Sequence, residues 1–370
     1  MAEPGAQEGR SPAGDWATAK GSPESGSLCE RLRRFARWLQ EGGRSPLYVA
    51  LLRGAAEDCR RDGIVARAFA GIDIAPGSVP ALRLMAALHY LVLRGEAPAL
   101  ARFFPSAGGH EDPGGAWHVA AATLAERLEQ VRERLRRGVQ TNEPGRSAAL
   151  YGGLLWASER LRAPLRVLEI GASAGLNLLA DRFAYAVGGE LLGELGSPVR
   201  FEEPWRGTPV HDPAAAARGL RISTRRGCDT APIDVRRPGT RELLMSYVWP
   251  DEPERLTRLQ AALALASAAP PHVERAQASR WLGDVLAERN AATVVMQSVM
   301  WQYLGEGERR AITAAIECGA EHGPLVWLTL EPGADATRNF ELAARAFPGG
   351  ERRVLARCSD HGPPVHWLGG

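Results

Sequence analysis

One short segment combines residue types that support two different kinds of chemistry. Residues 167–178 read VLEIGASAGLNL. Gly171, Ser173 and Gly175 fit the G-x-S-x-G pattern, in which the serine is a nucleophile on a sharp turn between a strand and a helix. The same glycines could instead bring the backbone close to a ligand, with the acidic Glu169 two residues before the loop. This segment alone leaves both interpretations open.

A serine hydrolase also needs a histidine base and an acidic residue that orients it, both later in the chain. His361 or His366 could be the base, and Asp335 or Glu331 could be the orienting acid. However, no HGGG-type segment that would form an oxyanion hole precedes Ser173. A dinucleotide fingerprint, G-x-G-x-x-G, is broken because serine and leucine stand where two of its glycines belong. The sequence therefore favours a ligand loop, with the hydrolase as the alternative.

The ligand-loop interpretation predicts a nucleoside site. Asp229 follows a predicted strand, so its carboxylate could accept both ribose hydroxyls, a charge-assisted contact that contributes about 1.5–3 kcal/mol. The alternative for Asp229 is a turn or an Asx cap before Pro232. Asn177 either caps the next helix or contacts the amino-acid end of a cofactor. The predicted cofactor-binding residues are Glu169, Gly171, Ala172, Ser173, Gly175, Asn177, Asp229 and Ser298.

Three further segments carry candidates for a substrate pocket: QTNEPGR, YVWPDEPERL and VVMQSVMWQYLGEGER. The candidate pocket residues are Asn142, Glu143, Arg146, Trp249, Asp251, Trp301 and Tyr303. Each segment has a structural alternative. Asn142 could cap the helix that follows it, Asp251 could belong to a capping box, and the aromatic residues could pack in a core. No catalytic base can be identified from these segments.

The composition is that of an ordinary globular protein. Of its 370 residues, 45% are hydrophobic and 24% are charged, and the formal net charge is +2. This balance gives no strong field that would demand nucleic acid or an anionic membrane as a partner. No segment approaches the roughly 20 apolar residues of a membrane span, and residues 1–27 resemble neither a signal peptide nor a transit peptide. We therefore expect a cytoplasmic protein.

The cysteines, histidines and arginines give weaker signals. The five cysteines are scattered and never spaced as C-x-x-C, which argues against a disulfide scaffold and against a structural zinc site. The histidines are equally dispersed, so no metal site is expected. Arginines cluster around the second predicted strand, where they form either a solvated basic face or a site for an acidic substrate; they stand at positions 218, 221, 225, 226, 236, 237 and 241.

The pattern of elements changes after residue 140. Residues 28–140 read as an all-helical region, preceded by a disordered tail over 1–27. Beyond 140, strands and helices alternate, which implies a parallel sheet covered by helices on both faces. The chain ends in two extended runs joined by a short turn, which predicts an antiparallel hairpin. An insertion over 188–220 could add a small ribbon. The predicted strands are 165–170, 221–228, 272–278, 293–298 and 324–330, with helices opening near Leu176, Glu252, Arg280, Glu306 and Ala334.

This order resembles the class I S-adenosylmethionine-dependent methyltransferase fold, whose last two strands form such a hairpin. The predicted fold is therefore α/β, with a doubly wound, mostly parallel seven-stranded methyltransferase-like sheet over 141–370 and an all-helical region before it. We expect the helical region to cover the carboxyl edge of the sheet, where open α/β sheets bind ligands.

Five quoted strings together also resemble one bacterial family, known as domain of unknown function 2332, from about residue 28 to the end. The strings are TNEPGR, VLEIGASAGLNLLADRFAY, GCDTAPIDV, YVWPDEPERLTRLQAAL and VVMQSVMWQYL. The resemblance implies a methyltransferase-like fold, and we expect S-adenosylmethionine as cofactor and a small-molecule acceptor. Ser173 departs from the usual methyltransferase loop, where a middle glycine is typical. The N/D-P-P-Y tetrapeptide and the Pro-Cys nucleophile are absent, which weighs against DNA as a partner. A non-catalytic binding protein of the same fold is the other alternative.

Overall fold

The computed structural model describes residues 26–75, 77–288, 292–333 and 339–369. The chain forms two compact units. The first, helical unit contains the described residues up to Gln140 together with Glu242–Leu256, and the second unit contains Thr141–Arg241 and Thr257 onward. The segment 242–256, predicted to belong to the second domain, therefore clusters with the helical unit. Most of the predicted tail, the helix predicted near Ala334, and Asp335 lie outside the described residues.

The helices follow one another along both units. Among the described residues, none of them is long and apolar enough to cross a bilayer. The α-helices are α1 Leu28–Glu41, α2 Pro46–Arg60, α3 Ile64–Phe69, α4 Pro80–Leu93, α5 Pro98–Ala101, α6 Ala116–Glu126, α7 Leu128–Leu135, α8 Ser147–Leu161, α9 Pro213–Gly219, α10 Thr240–Ser246, α11 Pro253–Ala268, α12 Ala278–Leu286 and α13 Glu306–Gly319.

The helical unit has one hydrophobic core, to which the long helices α1, α2 and α4 contribute most of the buried residues. Trp249 from the 242–256 segment is part of this core. A disulfide joins Cys29 on α1 to Cys59 on α2 across a Cα–Cα distance of 5.5 Å. The scattered cysteines argue against a disulfide scaffold, and this single bridge is not predicted from their spacing. The two cysteines are 30 residues apart in sequence. They meet because α1 and α2 are joined by a short turn, which brings the start of α1 close to the end of α2.

The second unit is built on a large sheet. Its strands run in the order β5-β12-β11-β10-β9-β8-β1-β6-β7. The strands are β1 Leu165–Ile170, β2 Ala184–Val187, β3 Glu190–Gly193, β4 Arg200–Glu202, β5 Trp205–Arg206, β6 Ile222–Asp229, β7 Val273–Arg275, β8 Ala292–Ser298, β9 Leu325–Pro332, β10 Phe340–Phe347, β11 Arg352–Ser359 and β12 Gly362–Trp367. Strands β7, β6, β1, β8 and β9 are parallel neighbours, and β9 to β12 pair antiparallel.

The α/β class, the mostly parallel sheet and the terminal hairpin are confirmed, but the predicted number of strands is wrong. In the described ranges the sheet has nine strands instead of seven. The unpredicted β10 is buried along both faces over its first five residues, so it lacks the alternation that distinguishes a strand from a helix. The other extra strand, β5, comes from the insertion and pairs with β12. The helix predicted near Leu176 is a 3-10 helix over Leu176–Arg182.

The insertion also forms a second sheet of three strands, in the order β3-β2-β4. A row of stacked aromatic rings fixes this sheet to α8. The ring of Tyr185 on β2 stacks on Tyr151 of α8 at 4.4 Å and on Phe201 of β4 at 5.1 Å. The predicted ribbon over 188–220 is thus a small sheet that begins a few residues earlier, at Ala184.

Helices cover both faces of the large sheet. On one face, α12 and α13 contribute Leu282 and Ile316 to a core with Val295 of β8. Helix α8 packs on the opposite side, where a Cβ atom on Gly153 would lie 3.0 Å from the Leu328 side chain of β9. The chain leaves β1 for β6 on one side and later returns to β8 on the other. The carboxyl ends of β1 and β8 therefore form a topological switch point, the usual ligand site of open α/β sheets.

Candidate functional site

The loop after β1 has a left-handed backbone at three alternate positions. The φ angles are +68° at Gly171, +53° at Ser173 and +74° at Gly175. A Cβ atom on Gly171 would lie 3.1 Å from the Met300 side chain, and one on Gly175 would lie 2.7 Å from Pro271. Glycine is therefore required by backbone conformation and by close packing of neighbouring segments. At Gly175 the adjacent space is filled by the protein's own chain.

Asp229, at the end of β6, holds this loop from the side. Its Oδ2 accepts the backbone N–H of Ser173 at 2.9 Å, and its Oδ1 accepts that of Ala231 at 2.8 Å. The second contact is the Asx turn that the sequence offered as the structural alternative. Because an ionised carboxylate can accept about four hydrogen bonds, Asp229 keeps acceptor capacity for a ligand as well.

Two buried asparagines join the same loop to the segment before α8. Asn142 Oδ1 accepts the backbone N–H of Leu176 at 3.0 Å, and Asn177 Oδ1 accepts the hydroxyl of Ser147 at 2.9 Å. Asn142 therefore satisfies a donor of the 3-10 helix after β1, instead of capping the helix that follows it in sequence. These contacts place the start of α8 at the carboxyl edge of the sheet.

Glu169 lies beneath the loop on β1 and is almost completely buried, with 1% exposure. Burial and the nearby charge of Asp229 raise the pKa of Glu169 well above its ordinary value, while the Arg146 charge and the Asn177 amide oppose the rise. Within the described ranges, Glu169 Oε2 has no hydrogen-bond partner. An unpaired buried carboxylate oxygen is costly, so this atom is suited to accept a hydrogen bond from a ligand.

The turn before α8 brings a buried guanidinium to the site. Glu143 closes this turn by accepting the backbone N–H of Gly145 at 2.9 Å. Arg146 Nε donates to the backbone carbonyl of Asp360, after β11, at 2.9 Å. Burial lowers the pKa of Arg146, and the negative groups of Glu143, Asp360 and Glu331 oppose that shift. One positive charge is therefore surrounded by several carboxylates.

The loop after β8 forms another side of the site. Ser298 is buried at the end of the strand, and the next residue, Val299, has a φ of +53°. This angle is unusual for a β-branched residue and indicates a strained turn. Trp301 packs on Trp327 with 5.7 Å between ring centroids, whereas Tyr303 is 52% exposed and lies near Arg146.

Glu331, at the end of β9, organises that strained loop. Its Oε1 accepts three hydrogen bonds at 3.1 Å, from Gln297 Nε2, Met300 N and Trp301 N. Gln297 in turn accepts the indole N–H of Trp327 at 3.2 Å. Burial raises the pKa of Glu331, and the three hydrogen bonds oppose the rise.

Two predicted pocket residues, Trp249 and Asp251, belong to the helical unit. The Trp249 ring lies 6.4 Å from Trp38 and 6.5 Å from Tyr48, so its observed role is core packing. Burial raises the pKa of Asp251, and a hydrogen bond with Ser45 opposes the rise. The other predicted site residues, from Asn142 to Tyr303, lie in the second unit.

Sequence reasoning missed Gln297 and Asp360, and it considered Glu331 only as a hydrolase acid. The signal for Gln297 is a single amide in the otherwise apolar run VVMQSV. The candidate hydrolase bases lie on and beside β12: His366 is exposed on that strand, and His361 Nε2 lies 3.3 Å from Asp360 Oδ2.

Part of the arginine cluster around β6 is paired with acidic residues. Arg225 pairs with Asp181, and Arg226 lies 2.8 Å from Glu274. Pairing reduces the charge available to an acidic substrate. In the part of the chain that the structure describes, no three acidic, histidine or cysteine side chains are arranged to hold a metal ion.

Comparison with known proteins gives a family and no further relative. No curated protein and no solved structure matches the chain. A family model matches residues 29–367, nearly the whole chain. The chain therefore belongs to the bacterial family described as "Uncharacterized protein conserved in bacteria (DUF2332)".

Proposed function

We propose that the protein is an S-adenosylmethionine-dependent methyltransferase that acts on a small-molecule acceptor. The order of its parallel strands supports this proposal. Numbered along the chain, the strands β7, β6, β1, β8 and β9 read 3-2-1-4-5, the order of doubly wound sheets that bind nucleotides. The loop after β1 and the carboxylate after β6 lie beside each other at the edge where such sheets bind their ligands.

The position of Asp229 is the observation that carries the proposal. Its carboxylate is fixed by two backbone N–H groups, so it is oriented before a ligand arrives. Each oxygen accepts one bond in this arrangement and retains a lone pair for a ribose hydroxyl. A nucleoside that lies against the loop would therefore meet an ordered, charged acceptor.

The charge of the site also suits this cofactor, which carries a sulfonium and an ammonium group. Glu169, Asp229 and Glu331 contribute carboxylates around the switch point, and Glu169 Oε2 is buried without a partner among the described residues. When bound, S-adenosylmethionine supplies an electrophilic methyl group. The protein's own contribution is to hold the two reactants in line, which can supply much of the rate enhancement.

The test is calorimetric binding of S-adenosylhomocysteine to the wild type and to Asp229→Asn. Asparagine keeps one oxygen for a backbone donor but loses the charge, so we expect binding about 10- to 100-fold weaker. Asp234→Asn is the matched control, because Asp234 lies five residues away and pairs with the exposed Arg236; its binding should equal that of the wild type.

A thermal shift assay gives an independent readout. A ligand present at about 100 times its dissociation constant stabilises the folded state by about 2.7 kcal/mol, so both adenosyl compounds should raise the melting temperature more than NAD or ATP. If neither compound binds at millimolar concentration, the proposal fails. Binding without methyl transfer to any acceptor would instead indicate a non-catalytic protein of the same fold.

A further inference from the structure

Within the described part of the chain, Glu331 forms hydrogen bonds through one of its two carboxylate oxygens. Oε1 accepts the three hydrogen bonds from Gln297, Met300 and Trp301. Oε2 is buried, and it has no hydrogen-bond partner in residues 26–75, 77–288, 292–333 and 339–369. The carboxylate is thus held rigidly by one oxygen while the other remains available to a donor.

Around Glu331, several acidic side chains share one buried guanidinium. Arg146 is the buried cation of this cluster, and it interacts with the carboxylates of Glu143, Asp360 and Glu331. Glu169, 1% exposed and with its own unpartnered oxygen, also interacts with Arg146. A ligand that carries positive charge and an N–H donor would satisfy both the charge and the free oxygens.

The loop that Glu331 holds brings one aromatic side chain, that of Tyr303, near this cluster. Tyr303 lies near Arg146 and is half-exposed, so the ring contacts solvent. Trp301, whose N–H is bonded to Glu331, begins the same 3-10 turn. Aromatic faces attract ammonium groups, so Tyr303 and the carboxylates would recognise the same kind of ligand.

We propose that Glu331 binds the methyl acceptor and that this acceptor is an amine, whose ammonium N–H is donated to Glu331 Oε2. That the amine is the methyl acceptor rests on the proposed function, whereas its binding by Glu331 does not. The inference therefore assigns both a substrate class and the residue that selects it.

The same contact prepares the amine for reaction. An N–H bond of the ammonium group breaks, its electron pair stays on nitrogen, and the proton forms an O–H bond at Glu331 Oε2. The neutral amine that results is the nucleophile that methyl transfer requires. Oε1 keeps its three hydrogen bonds during this transfer, so the loop after β8 stays in place.

The experiment compares binding of three related probes to the protein saturated with S-adenosylhomocysteine. Benzylamine is a cation at neutral pH, benzyl alcohol is its uncharged counterpart, and phenylacetate is an anion of similar size. We expect calorimetry to show binding of benzylamine to the wild type and no binding of the other two. Glu331→Gln should weaken benzylamine binding about 10- to 100-fold.

The glutamine variant separates ligand binding from a purely structural role. Its amide oxygen can still accept the hydrogen bonds of Gln297, Met300 and Trp301, so the melting temperature without ligand should stay close to that of the wild type. Glu341→Gln is the matched control. Glu341 lies directly opposite Glu331 on β10, but arginines pair with both of its oxygens, so its amide variant should bind benzylamine like the wild type.

The outcomes distinguish this inference from the proposed function. If S-adenosylhomocysteine fails to bind while benzylamine binds in a Glu331-dependent manner without it, the amine site stands and the methyltransferase proposal falls. The inference is overturned if benzylamine does not bind the wild type at millimolar concentration. It is also overturned if Glu331→Gln binds benzylamine equally well, or if phenylacetate binds more tightly.

Discussion

At the scale of single residues, Ser173 acts mainly through its backbone. Its N–H donates to Asp229 Oδ2 at 2.9 Å, and its carbonyl accepts the N–H of Ile233 at 3.1 Å. Ser173 is only 7% exposed. One candidate base, His366, is exposed on β12, five strands along the sheet from β1. At about 4.8 Å per strand that is on the order of 24 Å, which disfavours a hydrolase triad with His366 as its base.

Replacing Ser173 by alanine should therefore leave ligand binding nearly unchanged. The backbone contacts of residue 173 do not need the hydroxyl, so we expect the dissociation constant of S-adenosylhomocysteine to stay within a few-fold of the wild-type value. A fluorophosphonate probe should not label the wild type. Stoichiometric labelling that disappears in Ser173→Ala would contradict this and restore the nucleophile interpretation.

At the scale of elements, a buried histidine on α4 contacts the segment 242–256. His89 is 0% exposed. Its Nδ1 lies 3.3 Å from the backbone oxygen of Ser246, and its Nε2 lies 2.8 Å from the hydroxyl of Ser106. Burial lowers the pKa of His89 to about 4, against which hydrogen bonds with Ser246 and Val248 act. The neutral ring is thus part of how α4 packs within the helical unit.

This depressed pKa predicts that the helical unit loses stability in mild acid. The unfolded chain binds a proton on His89 near pH 6.5, whereas the folded chain does so only near pH 4. The contribution of His89 to the free energy of unfolding is therefore fully present above about pH 6.5. It declines as the pH falls towards 4, by about 1.4 kcal/mol per pH unit and about 3 kcal/mol in total.

Urea unfolding between pH 7.5 and pH 4 would measure this decline. His89→Gln keeps a polar side chain but does not titrate, so its curve should lack the part of the slope that belongs to His89. Buried carboxyls such as Glu169, whose pKa is raised, contribute the opposite slope in both proteins and cancel in the comparison. Equal slopes in the two proteins would refute the assignment.

At the scale of the whole molecule, local sequence patterns predict the strands of the second unit better than the contacts between residues that are distant in sequence. Strand β1 was predicted with its observed bounds, because a short apolar run ends there at a glycine loop. Strand β10 was missed because a strand buried on both faces lacks a period. The Glu331 contacts depend on a loop some thirty residues away in sequence. No local pattern indicates such contacts, nor the pairing of Cys29 with Cys59.

The division of the chain leads to a last prediction, because the second unit is not continuous in sequence. Residues 242–256 interrupt it and cluster with the helical unit. This segment buries Leu244, Met245, Val248 and Trp249, and Trp249 packs on Trp38 and Tyr48 of the helical unit.

A fragment of residues 141–370 should therefore be aggregation-prone, because these apolar side chains lose their covering. Limited proteolysis should cut it within 242–256, whereas the same region should be protected in the full chain. Co-expression with residues 26–140 should restore protection, since that piece supplies the core in which Trp249 is buried. In the full chain, Trp249→Ala should cost about 3–5 kcal/mol of stability. A soluble monomeric fragment with a protected 242–256 segment would show that this segment is stable without the helical unit.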